Sequence, residues 1–413
     1  MSRPRPSAAV LAGAAVLVLA AYAVLCAGVS QTEIGRSDFA SFYVGGTLLR
    51  QGHGAAIYDQ ALQGRLHADL VAPDQHGNLP FVNPPAAALL VAPLTPLPLA
   101  TAYRVWQAVQ LLLLVAAVLI AARFAPWPPR LRRTGVVAAT VVVAVAGTGT
   151  LALGLLGQWD GLSAFGLAAG YALWRRDARF AGGAVLALCV LLAKPHLALG
   201  LAALVLGWRE RRVLAGAASA IALLALGSLV ATGPGGFGGL IAAVRDDAGR
   251  WPLASMLGFT GLTGSWLGSG TVAQLIAAVG SLVALAACLV LGRLARDRRL
   301  LEPCLAAATV LSLLASPHLL TQDLVLLAPM LVILTAWAAG QGTATAWPAR
   351  YDRAVLAGWA ALSAAAALDL GSDRVAPPGR LVPWVLITAS VLLLWLLSTS
   401  RGSAQSVSSR PAS

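Results

Sequence analysis

Lys194 is the first candidate for chemistry, because it is a charged residue within a long apolar stretch. Lysine and arginine together number 29, and Lys194 is the only lysine. It lies in the apolar stretch 185–207, directly before Pro195 and His196. An ammonium at the centre of a membrane helix costs about 2.5–3.5 kcal/mol, so an intramembrane lysine is a functional candidate. The competing interpretation is a lysine that snorkels to the interface without a role.

Asp38 is the second candidate, and its chemistry would be proton transfer. It follows the first apolar stretch, in the sequence Arg36-Ser37-Asp38-Phe39. A carboxylate near the membrane surface can act as a general base on a hydroxyl within hydrogen-bonding reach. Helix N-capping by Ser37 or Asp38 would explain the same residues. The two roles are compatible, and the spacing alone leaves both open.

Other polar side chains stand at the predicted outer boundaries of apolar stretches. His196 and His318 each follow a proline directly, and Gln158, Asp160 and Asp323 lie at similar boundaries. No pair of histidines has the spacing of zinc ligands, and the four cysteines are at unrelated spacings. We therefore predict neither a metal site nor a cofactor.

Composition indicates the class of protein that must position these groups. Hydrophobic residues make up 58% of the chain and charged residues 11%. Since a helix needs about 20 apolar residues to cross a bilayer, we predict an all-α polytopic membrane protein. The candidate spans are 8–29, 99–122, 134–156, 158–174, 212–231, 271–292, 302–316, 321–338, 354–370 and 381–398. Two further stretches, 85–98 and 180–208, fit one simple crossing less well.

The arginines predict the orientation of these spans. A net charge of +13 could suggest nucleic acid, but the arginines cluster in short runs between apolar stretches. Such runs mark cytoplasmic loops under the positive-inside rule. They are Arg3 and Arg5, then Arg123, Arg130, Arg132 and Arg133, then Arg175, Arg176 and Arg179, then Arg209, Arg211 and Arg212, then Arg293, Arg296, Arg298 and Arg299. We therefore expect both termini in the cytoplasm and the loops 30–84 and 232–270 outside.

The stretch 180–208 conflicts with this map unless the chain turns inside it. Arginines flank both of its ends, so a single crossing would place one cluster outside. A re-entrant or two-helix hairpin resolves the conflict, with its break at Lys194-Pro195, because proline removes a backbone donor and disfavours helix before it. Irregular backbone at membrane depth is tolerated when it is buried in protein or lines a water-filled cavity. Lys194 should therefore face a cavity that opens to the outer side.

We expect one integral membrane domain over residues 1–400. The external loop 30–84 should carry short interfacial helices on the membrane surface, and the proline-rich stretch 85–98 should form a short or re-entrant helix at the outer face. The first apolar stretch resembles a signal peptide but is long for one, which favours an uncleaved first span. The serine-rich segment 401–413 should be a disordered cytoplasmic tail.

The order of several short motifs resembles glycosyltransferase family 87. These motifs are Ser37-Asp38-Phe39-Ala40-Ser41-Phe42-Tyr43-Val44-Gly45-Gly46, Gly52 with Ile57-Tyr58-Asp59, Asn83-Pro84-Pro85, Gly157-Gln158-Trp159-Asp160-Gly161, Ala181-Gly182-Gly183, Ala193-Lys194-Pro195-His196, and Ser316-Pro317-His318 with Asp323-Leu324. The resemblance covers most of residues 37–335. It implies a GT-C-like bundle of roughly 10–13 membrane helices with a long first external loop. Family members use polyprenyl-phosphate sugars as donors.

The resemblance also implies roles for matching positions. Asp38 would be the catalytic base, Lys194 would contact the donor phosphate, and His318 would contact phosphate or acceptor. Further substrate contacts are expected from His196, Gln158, Asp160, Tyr43, Tyr58 and Asp323. The expected reaction is inverting transfer of a hexose such as mannose, or of a pentose such as arabinose, to a lipid or glycan acceptor at the outer face of the cell membrane.

Two other classes of function fit parts of the pattern. A transporter or flippase would use a broken helix and intramembrane polar groups as a substrate path. Transporters often carry paired inverted repeats, and this chain has no second Lys-Pro break in a corresponding half. A membrane assembly factor without chemistry would tolerate replacement of Asp38.

Overall fold

The computed structural model describes residues 8–71, 79–132, 135–248, 250–296, 300–341, 351–370, 372 and 376–408. Over these residues the chain is helical, with no β-strand, which confirms the predicted all-α class. Several arginines of the predicted cytoplasmic clusters lie outside the described part, namely Arg3, Arg5, Arg133, Arg298 and Arg299.

Twenty α-helices follow one another along the described segments. The first ten are α1 (Ala8–Ala27), α2 (Gln31–Gly35), α3 (Asp38–Arg50), α4 (Gln60–Val71), α5 (Pro85–Val91), α6 (Leu99–Phe124), α7 (Pro129–Arg132), α8 (Val136–Val145), α9 (Thr148–Leu156) and α10 (Asp160–Arg175). The others are α11 (Arg179–Ala193), α12 (Leu199–Trp208), α13 (Arg211–Thr232), α14 (Gly235–Ala248), α15 (Phe259–Leu267), α16 (Thr271–Leu294), α17 (Leu301–Ala315), α18 (Leu327–Gln341), α19 (Tyr351–Leu370) and α20 (Val382–Ser408). Short 3₁₀ segments cover Gly54–Ala56, Ala92–Leu94, Pro195–Ala198, Leu253–Ser255 and Thr321–Leu326.

Many of these helices are apolar enough for a bilayer, as the composition predicts. Within the described residues, five are long enough to cross alone: α1, α6, α13, α16 and Thr321–Gly340. The stretch predicted as one span over 134–156 is instead two helices, α8 and α9, bent by 46°. The bend falls at Gly147, where the Trp359 ring occupies the space of a β-carbon. Shorter apolar helices complete a polytopic membrane protein.

The core of the bundle is α17. Every residue from Leu301 to Ala315 is buried, as expected for a helix that is apolar on all sides and surrounded by other helices. By contrast, only 11% of the 18-residue apolar segment of α1 is buried inside the protein. Exposed apolar side chains such as Leu17 and Val230 then suit contact with lipid.

Helix pairs approach one another at glycines. Gly183 of α11 lies against the carbonyl of Val213, and Gly216 of α13 lies against the carbonyl of Phe180. A β-carbon would stand 2.1 Å from the first oxygen and 1.9 Å from the second. The helices α12 and α16 pair in the same reciprocal way. The hydrophobic effect contributes little to helix association in lipid. Such interfaces therefore depend on small residues that allow close packing.

The arms α11 and α12 form the predicted hairpin. The chain breaks at Lys194, whose backbone is extended at φ −147° and ψ 89°, as a residue before proline prefers. The far ends of the arms meet: the guanidinium of Arg179 contacts Glu210 and lies 5.7 Å from the ring centroid of Trp208. The predicted break is confirmed, and Lys194 lies at the tip.

The first loop is more deeply packed than the expected interfacial helices. In α3, all residues from Phe39 to Leu48 are buried. Gly45 and Gly46 make this possible, since a β-carbon would stand 2.7 Å from the Phe81 ring at the first and 2.9 Å from the Ala92 nitrogen at the second. The helix α3 is therefore held against the proline-rich segment, which forms the short helix α5 and a 3₁₀ turn as predicted.

At the other end of the chain, α20 continues to Ser408. It therefore extends into the segment for which the sequence predicts a disordered tail, and residues 409–413 lie outside the described part.

Substitution of Gly216 by alanine tests the close helix approach. The new β-carbon would stand 1.9 Å from the Phe180 oxygen, so α13 must move away from α11, and we expect destabilisation of about 1–3 kcal/mol. The control on the same helix is Gly227→Ala, where the nearest atom is 3.6 Å away and alanine should gain up to about 1 kcal/mol in helix propensity. Thermal unfolding in detergent measures both. Equal melting temperatures would contradict the packing argument.

Candidate active site

The carboxylate of Asp38 is held from outside its own helix. Ser37 is the N-cap residue of α3 but makes no side-chain cap bond, and its hydroxyl donates to the Ile34 carbonyl at 2.7 Å. The Asp38 Oδ2 atom accepts from Gln158 Nε2 at 2.7 Å. Helix capping therefore does not account for Asp38, whose side chain joins the start of α3 to the start of α10.

Residues 157–161 form the turn that carries Gln158 to this position. Gly157 ends α9 in the left-handed region at φ 63°, and a β-carbon there would stand 2.8 Å from Phe39. Gly161 lies against the Gln110 carbonyl, at 2.1 Å from the position of an added β-carbon. Both glycines are needed because the turn is packed between α3 and α6.

Aromatic rings fix this turn against α3. Trp159 is fully buried, and its ring centroid lies 4.6 Å from that of Trp106 and 5.0 Å from that of Phe42. Phe39, next to Asp38, packs on Trp106 at 6.0 Å. The Trp106 Nε1 atom donates to the Gly157 carbonyl at 2.9 Å. These aromatic contacts therefore fix the positions of Asp38 and Gln158.

Lys194 is paired with two carboxylates. Its Nζ atom lies 2.5 Å from Asp323 Oδ1 and 3.0 Å from Asp160 Oδ2, and both aspartates are fully buried. The second oxygen of Asp323 accepts from the Leu320 backbone N–H at 2.7 Å. We call Asp160, Lys194 and Asp323 the charge triad. Pairing offsets the large cost of removing the ammonium from water.

The hairpin tip that carries Lys194 is anchored on two sides. Asn83, from the proline-rich motif, donates its Nδ2 to the Ala193 carbonyl at 3.0 Å, and the Tyr58 hydroxyl donates to the Asn83 carbonyl at 2.6 Å. From the core, the Ser312 hydroxyl donates to the Leu197 carbonyl at 2.7 Å. No site role was predicted for Asn83 or Ser312, and the only signal was the place of Asn83 in a family motif.

The two predicted histidines meet beside the charge triad. The ring centroids of His196 and His318 are 6.2 Å apart, in an edge-to-face arrangement. Burial lowers the pKa of His318, against the opposing charge of Asp323, so the neutral imidazole is favoured, with one donor and one acceptor nitrogen. The Asp247 carboxylate also acts on His318. Asp247 belongs to α14, so the segment that follows α13 reaches this site.

Burial raises the pKa of the Asp38 carboxyl, while the hydrogen bond from Gln158 and the charge of Lys194 oppose that rise. The same interactions place Asp38 within electrostatic reach of the charge triad. A carboxylate with a raised pKa binds a proton more readily, which suits a general base.

Seven of the nine predicted site residues are thus brought together, namely Asp38, Gln158, Asp160, Lys194, His196, His318 and Asp323. The two tyrosines use their hydroxyls for packing: Tyr43 donates to the carbonyls of Thr95 and Leu97, and Tyr58 to that of Asn83. Their contacts with substrate stay a prediction. Among the described residues, no three His, Cys, Asp or Glu side chains are grouped so as to hold a metal ion.

Replacement of Lys194 by alanine tests the charge triad. It leaves two buried carboxylates side by side, and loss of one partner of a buried pair costs about 3–5 kcal/mol. We expect a large fall in melting temperature. Adding Asp160→Asn to Lys194→Ala should restore part of the lost melting temperature, because the neutral amide removes the repulsion with Asp323. Asp160→Asn alone keeps the Lys194–Asp323 pair and should lower the melting temperature less than Lys194→Ala does. A double variant no more stable than Lys194→Ala would refute this account of the pairing.

Comparison with known proteins gives one match. A family model described as glycosyltransferase family 87 matches residues 81–317. No curated protein and no solved structure matches the chain. The matched region contains Gln158, Asp160 and Lys194, while Asp38 and Asp323 lie outside it. Since it covers more than half of the 413 residues, the chain belongs to glycosyltransferase family 87 and is a membrane glycosyltransferase.

Proposed function

We propose that this enzyme transfers a sugar from a polyprenyl-phosphate donor to a hydroxyl of a lipid or glycan acceptor, with inversion, and that Asp38 is the general base. The observation that carries the proposal is the Asp38 carboxylate, which is held by the Gln158 amide at 2.7 Å beside Lys194 and His318. We place the reaction at the outer face of the cell membrane, with both termini in the cytoplasm. The proposed sugar is mannose or arabinose, on the family resemblance.

One oxygen of Asp38 is available for the acceptor. Gln158 donates to Oδ2, and no other described side chain donates to this carboxylate. An acceptor hydroxyl at Oδ1 would give up its proton as its oxygen attacks the anomeric carbon. The bond from that carbon to the phosphate oxygen breaks in the same displacement. Polyprenyl phosphate is a competent leaving group, so no general acid is required.

We place the donor phosphate beside His318. Direct contact with Lys194, as first expected, requires the phosphate to displace Asp160 or Asp323 from the charge triad. We therefore assign Lys194 to positioning these two carboxylates. A neutral His318 offers an N–H donor, and the second external loop brings Arg250, which pairs with Asp247 at 3.4 Å. Donors aimed at developing charge on the leaving phosphate stabilise the transition state.

Asp38→Asn tests the base. The amide keeps the shape of the side chain but cannot take a proton, so we expect sugar transfer to fall at least a hundredfold while donor affinity stays unchanged. Transfer from a radiolabelled polyprenyl-phosphate sugar, and binding of the same donor, are measured in membranes.

The matched control for this variant is Asp59→Asn. Asp59 also stands at the start of a helix, and its Oδ1 accepts from the Leu62 N–H at 2.9 Å in a capping bond. This variant should transfer sugar at the normal rate. Normal transfer by Asp38→Asn would refute the assignment of the base, and loss of donor binding in that variant would move Asp38 to a binding role.

The raised pKa of Asp38 predicts the acid limb of the pH profile. The base must be ionised, so the transfer rate should rise with pH through a value above 3.8, the ordinary pKa of an aspartate. The hydrogen bond from Gln158 favours the ionised form and lowers this pKa. Gln158→Leu should therefore shift the acid limb to higher pH. Measurement of kcat against pH in both proteins checks the direction, and a shift to lower pH would contradict the proposal.

A further inference from the structure

A second candidate site lies at the arginine-rich end of the molecule. A cavity of about 200 Å³ opens between the ends of α10, α11, α12, α16 and α17. Its walls include Trp174, Arg175, Arg179, Trp208, Arg296 and Leu301. Asp160 begins α10 and Arg175 ends it, and this helix rises about 24 Å at 1.5 Å per residue. The cavity is therefore remote from Asp38 and the charge triad.

One arginine of the walls is free to bind an anion. Three guanidinium groups line the cavity, and none of its lining residues is acidic. Arg175 donates to the buried Glu302 at 3.2 Å, and Arg179 is paired with two carboxylates, Glu210 and Asp177. The third group, Arg296, donates its Nε to the Trp208 carbonyl at 3.2 Å, and no described carboxylate pairs with it. Arg296 is therefore the lining guanidinium without a described carboxylate partner, and its planar donors suit phosphate oxygens.

The size and the remaining walls favour a lipid headgroup. Sites for drug-sized ligands are typically about 300–1,000 Å³, so a cavity of about 200 Å³ takes a headgroup rather than a whole lipid-linked sugar. The rings of Trp174 and Trp208 meet edge to face at 5.2 Å and form an apolar wall with Leu301. Tryptophan and arginine are both typical of the membrane interface, where anionic headgroups bind between basic side chains.

We propose that this cavity binds the phosphate of an anionic glycerophospholipid headgroup. The phosphate lies against Arg296, and the glycerol lies against the tryptophan wall. Arg296 follows α16 and Trp208 ends α12, so the bound lipid ties the open end of the hairpin to the rest of the bundle. The positive-inside rule places this end of the protein in the cytoplasmic leaflet.

Lipid titration of the purified, lipid-depleted full chain tests the proposal. Short-chain phosphatidylglycerol should raise the melting temperature, because a ligand of the native state stabilises it by mass action. Phosphatidylcholine of the same chain length carries a choline cation that the guanidinium groups repel, so its effect should be smaller. Inorganic phosphate at the same concentration should have little effect.

Arg296→Gln, with Arg293→Gln as its control, assigns the effect to the cavity. Both arginines are exposed near the end of α16, but only Arg296 lines the cavity. Arg296→Gln removes a charged hydrogen bond and should raise the half-saturating phosphatidylglycerol concentration about tenfold, whereas Arg293→Gln should respond like the wild type. For each protein, the melting temperature with lipid is compared with that of the same protein without lipid. A change in the stability of the lipid-free variant therefore does not affect the comparison.

Two results would overturn the proposal. An equal response of the two variants would place the lipid elsewhere on the protein. An Arg296-dependent response to inorganic phosphate as strong as that to phosphatidylglycerol would make this a site for a soluble anion.

Discussion

The rest of the site depends on the neutralisation of one buried ammonium. Lys194 cannot stay charged at the tip of an apolar hairpin without partners, and Asp160 and Asp323 supply them from two other parts of the chain. The start of α10, the hairpin tip and the 3₁₀ segment before α18 are thereby held at one point. Replacing an ion pair by apolar groups is often neutral for stability, so this pairing matters for position more than for net energy.

The turn 157–161 connects that point to Asp38. Gln158 faces Asp38 and Asp160 faces Lys194, and between them Trp159 is fixed among aromatic rings. Asp38 and the charge triad are therefore joined by one short, tightly packed segment, although they come from separate helices.

Much of this arrangement follows from local sequence features. The arginine runs and Pro195 predict a hairpin with its break at Lys194, and the alternation of acidic and basic segments brings Asp38, Asp160 and His318 to one end. These predictions succeed because charge placement and proline chemistry act over short stretches of chain.

The pairing of Lys194 could not be predicted in the same way. Asp323 is separated from it by 129 positions, and whether two such segments touch is decided by helix packing. The sequence predicts that Lys194 contacts the donor phosphate, and in the structure its ammonium is paired with Asp160 and Asp323. The bend at Gly147 and the burial of α3 were missed because each depends on a distant ring, Trp359 and Phe81 respectively.

The positions of the two aspartates along the chain have a consequence for biosynthesis. The ribosome makes Asp160 before Lys194, so one partner is already present when the hairpin enters the membrane. Asp323 is made 129 residues later, and the core helix α17 must be inserted before it. The two partners of the ammonium therefore become available at different stages of synthesis, Asp160 before Lys194 and Asp323 after the core helix.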